Sequence, residues 1–281
     1  MTGFLARALH EKLLLAGILL LALLSLAGLL GPLVVDPHLA EIGATMPRLR
    51  PEAAHPLGTD TQGRDVLAEL LLALPQTLKV GLIAGLLGLG LGGTLGLIAG
   101  YLRGRADSVI RTAADVVMTI PTIAVLVLVA TNVRTMTVTL MAVIVAGLAW
   151  MYPTRAIRAQ TLSLRELPYV DVARINGIGG LRIVFTELLP NLAPYFAASF
   201  VTATASAMLA TVGLEALGLG PQNQLTLGMM LYWAQYYDAV MRGMWWWWVP
   251  PVAAIALIFC ALLAASAGMD RLLNVRVRVE A

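Results

Sequence analysis

Two apolar runs, Leu13 to Val35 and Leu82 to Leu102, constrain this chain more than any other feature of its sequence. Each exceeds the roughly 20 residues a helix needs to cross a bilayer core of about 30 Å. Of the 281 residues, 59% are hydrophobic and only 12% charged, more apolar side chain than a soluble domain of this size could enclose. The mean hydropathy of +0.83 points the same way. The fold class read from this is an all-α polytopic membrane protein. The first run is too long for a secretory signal and is followed by Gly31-Pro32 and Asp36-Pro37 in place of a small-residue cleavage pattern, so a retained helix is expected.

About six spans follow: Leu13 to Val35, Leu78 to Leu102, Ala113 to Thr131, Met136 to Pro153, Ala193 to Glu215 and Trp247 to Ala267. With the amino terminus inside, the cytoplasmic segments hold Arg7, Lys12, Arg103, Arg105, Arg111, Arg155, Arg158, Arg165, Arg174, Arg182, Arg271, Arg276 and Arg278. The outer side holds Arg48, Arg50, Arg64, Lys79, Arg134 and Arg242. That asymmetry predicts both termini in the cytoplasm. In such a chain the net charge of +3 says less than its distribution, and no nucleic-acid partner is expected. The single Cys260 cannot form an internal disulfide, and His10, His38 and His55 share no metal-ligand spacing.

Between the fourth and fifth spans lies a polar, arginine-bearing stretch, YVDVARINGIGGLRIVFTELLPN, from Tyr169 to Asn191. Helical spacing in its first part is broken at Gly177, Gly179 and Gly180, and a second amphipathic run ends at Leu189-Pro190. Two short helices joined by a glycine turn are predicted, lying outside the bilayer. The spacing of Asp171, Ala173, Arg174, Gly177, Arg182, Leu189 and Pro190 resembles the EAA loop of the membrane subunits of binding-protein-dependent ABC importers. Asp-Val-Ala stands here for Glu-Ala-Ala, with the carboxylate kept.

A second stretch supports the resemblance. After the Pro-rich segment Asp36 to Pro56, Gly58-Thr59-Asp60 and Gly63-Arg64-Asp65 are similar to a signature of the oligopeptide, dipeptide and nickel permeases, in the second permease of each pair. From the residues alone, Asp60 or Thr61 caps a helix whose Val66, Leu67, Leu70, Leu71 and Leu74 share one face, as on an interfacial helix. The expected organisation is one permease domain over 1–281. It divides into a first helix and external linker (1–56), an external interfacial helix (57–77) and core helices (78–268), the last including a cytoplasmic coupling loop (155–193).

Within the core, Gly81, Gly85, Gly88, Gly92, Gly96 and Gly100 make a bare stripe along the second span, read as a packing face with a pore lining as the alternative. Arg111 and Asp115, four apart, are expected to pair, and Pro121 to kink the third span. Ser199, Thr202 and Ser206 share one face of the fifth span and Thr204 and Thr211 another, so a polar seam borders either a solute path or a neighbouring helix. Glu215 near the span's outer end is a candidate gate or solute contact. Trp245 to Trp248 are expected to anchor the sixth span at headgroup level.

Neither hydrolytic nor redox motifs are present, nor is a P-loop; the lysines, Lys12 and Lys79, lie outside any such pattern. The resemblance, which extends from about Leu57 to Gly268, implies a type I importer permease fold and a non-catalytic subunit. It implies as partners a second related permease, two ATP-binding subunits that carry the ATP and magnesium, an extracytoplasmic solute-binding protein, and the bacterial inner membrane around them. Tyr169, Val170, Asp171, Val172, Ala173, Arg174, Gly177, Arg182, Leu189 and Pro190 form the expected ATPase-coupling loop, with Val170, Val172 and Ile175 filling a groove on the ATPase. Di- or oligopeptides are the expected substrates, with nickel or metal chelates and oligosaccharides as alternatives. An ion-coupled secondary transporter, a membrane enzyme and a scaffold are the rival classes. The first needs midplane acids or broken helices in repeated halves, and the second needs clustered catalytic groups.

Overall fold

The computed structural model describes residues 10–273. Arg7, Arg276 and Arg278, on which part of the charge asymmetry rests, and the basic carboxyl-terminal segment lie outside the described residues, as do both termini. The described chain runs as α1 (Lys12–Val34), α2 (Val66–Leu102), α3 (Gly104–Thr119), α4 (Thr122–Asn132), α5 (Val138–Ala149) and α6 (Met151–Leu164). It continues as α7 (Pro168–Ile175), α8 (Gly180–Ala216), α9 (Leu227–Tyr236) and α10 (Trp245–Leu273).

Four of these, α1, α2, α8 and α10, are each long and apolar enough to cross a bilayer. The count reaches six when the bent pairs α3–α4 and α5–α6 each serve as one span. The third expected span is more than kinked: α3 and α4 meet at 79°. Ile120 is extended there (φ −85°, ψ 127°), as the residue before a proline is driven to be, so the helix stops and restarts after Pro121. The fourth bends by 43° at Trp150.

At the centre stands α2, packed against α1, α5, α6, α8 and α10. Its glycine stripe is the reason neighbours come so close. A methyl group at Gly85 would meet Thr204 Oγ1 at 2.2 Å, one at Gly92 the Trp150 carbonyl at 2.2 Å, and one at Gly96 the Thr154 carbonyl at 2.7 Å. In lipid, where burying apolar surface gives helices little reason to associate, such backbone contact supplies the attraction. The stripe is a packing face throughout, against α8 at its outer end and α5–α6 further in.

The division expected between residues 77 and 78 is absent, because the helix continues through Pro75 for 37 residues. Nor does its first part lie on a membrane surface: Val66, Ala68, Glu69, Ala73 and Leu74 are buried, with α1 and α9 against them. A proline in a spanning helix is tolerated when neighbours close in around the gap, and here α1 does so, with Gly28 seated on Pro75 and Leu74. Asp65, not Asp60 or Thr61, caps α2 by accepting the Ala68 N–H at 2.9 Å.

Asp60 instead folds its own turn. Its carboxylate accepts the Gln62 and Arg64 amides at 2.7 and 2.8 Å and the Arg64 Nε at 2.8 Å. The guanidinium reaches on to Glu69 Oε1 at 2.7 Å, and His55 Nδ1 lies 2.7 Å from Asp65 Oδ2. Gln62 donates to the Tyr237 hydroxyl at 3.0 Å and Trp246 Nε1 to the Thr59 carbonyl at 3.2 Å. The outer loop is thereby clasped to the start of α2 and α10. Trp246 and Trp247 are buried in this core and only Trp245 of the block is markedly exposed, so the tryptophans build the outer core more than they float at headgroup level.

Candidate functional site

At the opposite end, α7 stands on a short tether between α6 and α8. Pro168 occupies its first turn, where a missing amide hydrogen costs nothing. Its last turn closes with a paired lock: the Gly177 amide donates to the Arg174 carbonyl at 3.0 Å and the Ile178 amide to the Ala173 carbonyl at 3.1 Å. Gly177 has φ +74°, a left-handed conformation open to glycine at little cost, and space around it is empty. This is the sharp turn expected at Gly177.

The second of the two predicted short helices is not a separate element. From Gly180 the chain enters α8 directly and remains helical for 37 residues. A wide turn over Val184–Leu188 precedes Pro190, and Asn191 Nδ2 donates to the Glu187 carbonyl at 2.7 Å. The helix runs on through the proline, so Leu189-Pro190 does not mark its end.

The faces of this foot divide sharply. Val170, at 0% exposure, and Ala173 turn inward with Ile183, Val184, Leu188 and Leu192 against Leu97 and Ile157. Burying a valine this way is worth about 1.5 kcal/mol. Val170 is therefore an anchor and not a groove-filling residue, which corrects that expectation. Tyr169 is half-buried beside it, and burial pushes its phenol up from the ordinary value. The outward apolar side chains are Val172 (57% exposed), Ile175 (84%), Leu181 (75%) and Phe185 (60%). Periodicity pointed to the first two; the last two were missed because they sit on the foot of α8.

Around these run charges. Arg174 pairs with Asp171 at 2.8 Å, Arg182 is exposed, and further along α8 Leu189 is half-buried and Pro190 exposed. Above, Arg103 contacts Glu166 at 2.6 Å, and Arg158 grips Asp107 with two nitrogens, its Nη2 at 2.8 Å. Asp115 lies 3.8 Å from Arg155 on α6, so the partner found for it is across the α3–α6 contact and not the expected Arg111.

A cavity of about 900 Å³ opens along α8, bounded by α4, the α5–α6 junction and the inner part of α10. Ser199, Thr202 and Ser206 line it with Tyr152, Gln160, Tyr195 and Asp270. The other hydroxyl face packs instead: Thr204 against Gly85, and Thr211 donating back to the Ala207 carbonyl at 2.8 Å. Glu215 is not brought together with the three cavity hydroxyls. Nine residues beyond Ser206 it faces about the opposite way, and it is fully buried against Gly220 and Gly228 at the start of α9.

Four long spans and two bent helix pairs around a glycine-packed core, with a projecting foot continuous with the cavity wall, define a membrane transport component. The chain belongs to the family of binding-protein-dependent transport system inner membrane components, which it matches over residues 92–279. That region holds the foot and the cavity and, of the outer clasp, Tyr237 and Trp246, leaving out residues 55–69. The chain is 29% identical over 183 residues to the oligopeptide transport system permease protein OppC of Mycobacterium tuberculosis, across 64% of this chain and 63% of that protein. It is 33% identical over 174 residues to the glutathione transport system permease protein GsiD of Pectobacterium atrosepticum, across 61% and 57%. To a Brucella suis protein provisionally named a peptide transport system permease it is 29% identical over 270 residues, 94% of this chain and 88% of that one. The matched stretch thus spans less than two thirds of the mycobacterial and Pectobacterium proteins.

Proposed function

We propose that this chain is the permease subunit of an ATP-driven importer, lining half of a solute path and receiving force from ATPase subunits through α7. One observation carries the reading. Val172, Ile175, Leu181 and Phe185 are exposed on a foot that needs no further helix to reach the cavity wall, since α8 begins at Gly180 and bears Ser199, Thr202 and Ser206. Apolar side chains outside the bilayer at this density call for a partner surface. A displacement of the foot is a displacement of the wall, and that shifts which side the path faces.

The partners in this reading are a second related permease, two ATPases that hold the nucleotide and magnesium, and an extracytoplasmic solute-binding protein. The chain itself does no chemistry. The foot lies in the cytoplasm of a bacterium, which agrees with the arginines collected at that end of the described residues. Peptides are the substrates, a class supported by the names of the relatives. Glu215, buried where α8 meets α9, holds the outer end of the path in place more than it touches solute.

The test is the assembled transporter purified through this chain, reconstituted, and supplied with a library of short peptides read by mass spectrometry. Ile175→Arg and Asp171→Arg are expected to release the ATPases and to abolish peptide uptake. ATPases retained at the unmodified ratio in both variants would end the coupling reading; intact coupling with no peptide imported would end the substrate reading alone.

A further inference from the structure

The foot touches more than α8. Tyr101, one residue before the end of α2, sits where four segments converge. The Arg165 guanidinium, just beyond α6, lies over its ring at 5.8 Å, and the Arg174 guanidinium of α7 lies over it at 5.8 Å as well. Arg165 also donates to the Tyr101 carbonyl. Gly180, the first residue of α8, is so close that a methyl group there would stand 2.9 Å from Tyr101 Cε1. The ring therefore meets α6, α7 and α8 from the end of the helix that packs against most of the others.

We infer that Tyr101 is a positioning residue that makes the foot and α2 move as one body. This rests on the coupling reading given above and extends it to a second helix. Val170 of the foot also packs against Leu97 of α2, but apolar side chains slide over one another; without the ring joint α8 would be left to shift against α2 at the Gly85–Thr204 contact, where no room exists. A flat ring accepts cations on its π face without fixing a single hydrogen-bond geometry, so the contact survives small rotations that would break an ion pair. Arg174 has its charge partner in Asp171, and Arg165 contacts Glu166 at 3.2 Å; both cations are thereby held in place beside the ring.

The experiment uses the assembled transporter with spin labels at Asn176 on the foot and Leu87 on α2, with and without ATP, magnesium and vanadate. In the parent and in Tyr101→Phe, which keeps the π face, one narrow distance is expected in both nucleotide states. In Tyr101→Leu, which keeps apolar bulk without the face, the distance should broaden and shift on trapping, and uptake per ATP should fall about tenfold, the weight of two cation–π contacts. Should Tyr101→Leu fail to assemble, Gly180→Ala, which pushes the ring aside, takes its place with the same expectation. A distance as narrow and as constant as the parent's in these variants overturns the inference while leaving ATPase docking intact. Failure of docking itself shows separately, as ATPases that stay bound to Ile175→Arg.

Discussion

The two ends of this molecule treat polar and apolar groups in opposite ways. At the outer end Asp60, Arg64 and Glu69 are buried and bonded in a chain, the buried Asp65 pairs with His55, and Trp246 and Trp247 lie in the core. At the inner end the ion pairs Arg174–Asp171 and Arg103–Glu166 are open to solvent, while Val172, Ile175, Leu181 and Phe185 have nothing over them. The outer end pairs its buried charges internally, although Arg64 Nη2, Glu69 Oε2 and Trp247 Nε1 are buried without a hydrogen-bond partner. The inner end has anchored itself with a few residues such as Val170 and left the rest exposed, as the proposed docking of a partner requires.

The sharpest way to break that contrast is at the clasp. Arg64→Met leaves Asp60 and Glu69 buried without their cation, and a loss of about 3–5 kcal/mol is expected. Thermal unfolding of the purified chain in detergent should show it, with much of the loss recovered when Glu69→Met removes the stranded acid. A shift no larger than a surface substitution gives would mean the clasp is dispensable.

Next in size is the core that both ends share. Gly96→Leu forces a side chain into the Thr154 carbonyl, and overpacking of this kind costs about 1–3 kcal/mol. The amount of folded protein recovered from membranes should fall, whereas the same change at Gly90, beside which nothing packs, should not lower it. Equal recovery of both variants would contradict the packing role of the stripe.

The smallest effect sharpens the comparison most. Ile175→Arg on the isolated chain should change stability by less than about 0.5 kcal/mol, as an exposed position allows, even though the same change is expected to strip the ATPases from the complex. A large destabilisation would show that Ile175 belongs to the internal framework like Val170.

The spans were legible because an apolar run of 20 residues in lipid has few alternatives, and the turn at Gly177 was legible because glycine marks it. The glycine stripe was readable for the same reason, its period being that of a helix. What could not be read was orientation. Val170 and Val172 are two residues apart and chemically alike, and only the presence of Ile157 and Leu97 on one side decides which is buried. Pro190 was taken for a boundary because a proline in isolation removes a hydrogen bond; the helix nevertheless runs through it after the wide turn at Val184–Leu188, a backbone adjustment that residue type does not announce. Tyr101 carried no signal at all, since its partners arrive from 64 and more residues downstream. Hydroxyl spacing put Ser199, Thr202 and Ser206 on one face, and that face borders the cavity, whereas charge alone did not say that Glu215 lies on another face, buried against Gly220 and Gly228.

The length of α8 has a mechanical corollary. Thirty-seven helical residues make a strut about 55 Å long. It is pinned at Thr204, where the neighbouring backbone leaves no clearance, roughly two thirds of the way from its inner tip. Fixed to α2 there, and again near its foot through Tyr101 in the coupling proposed above, the strut has no free pivot, so a push at its inner tip would tilt α2 and α8 together as one beam.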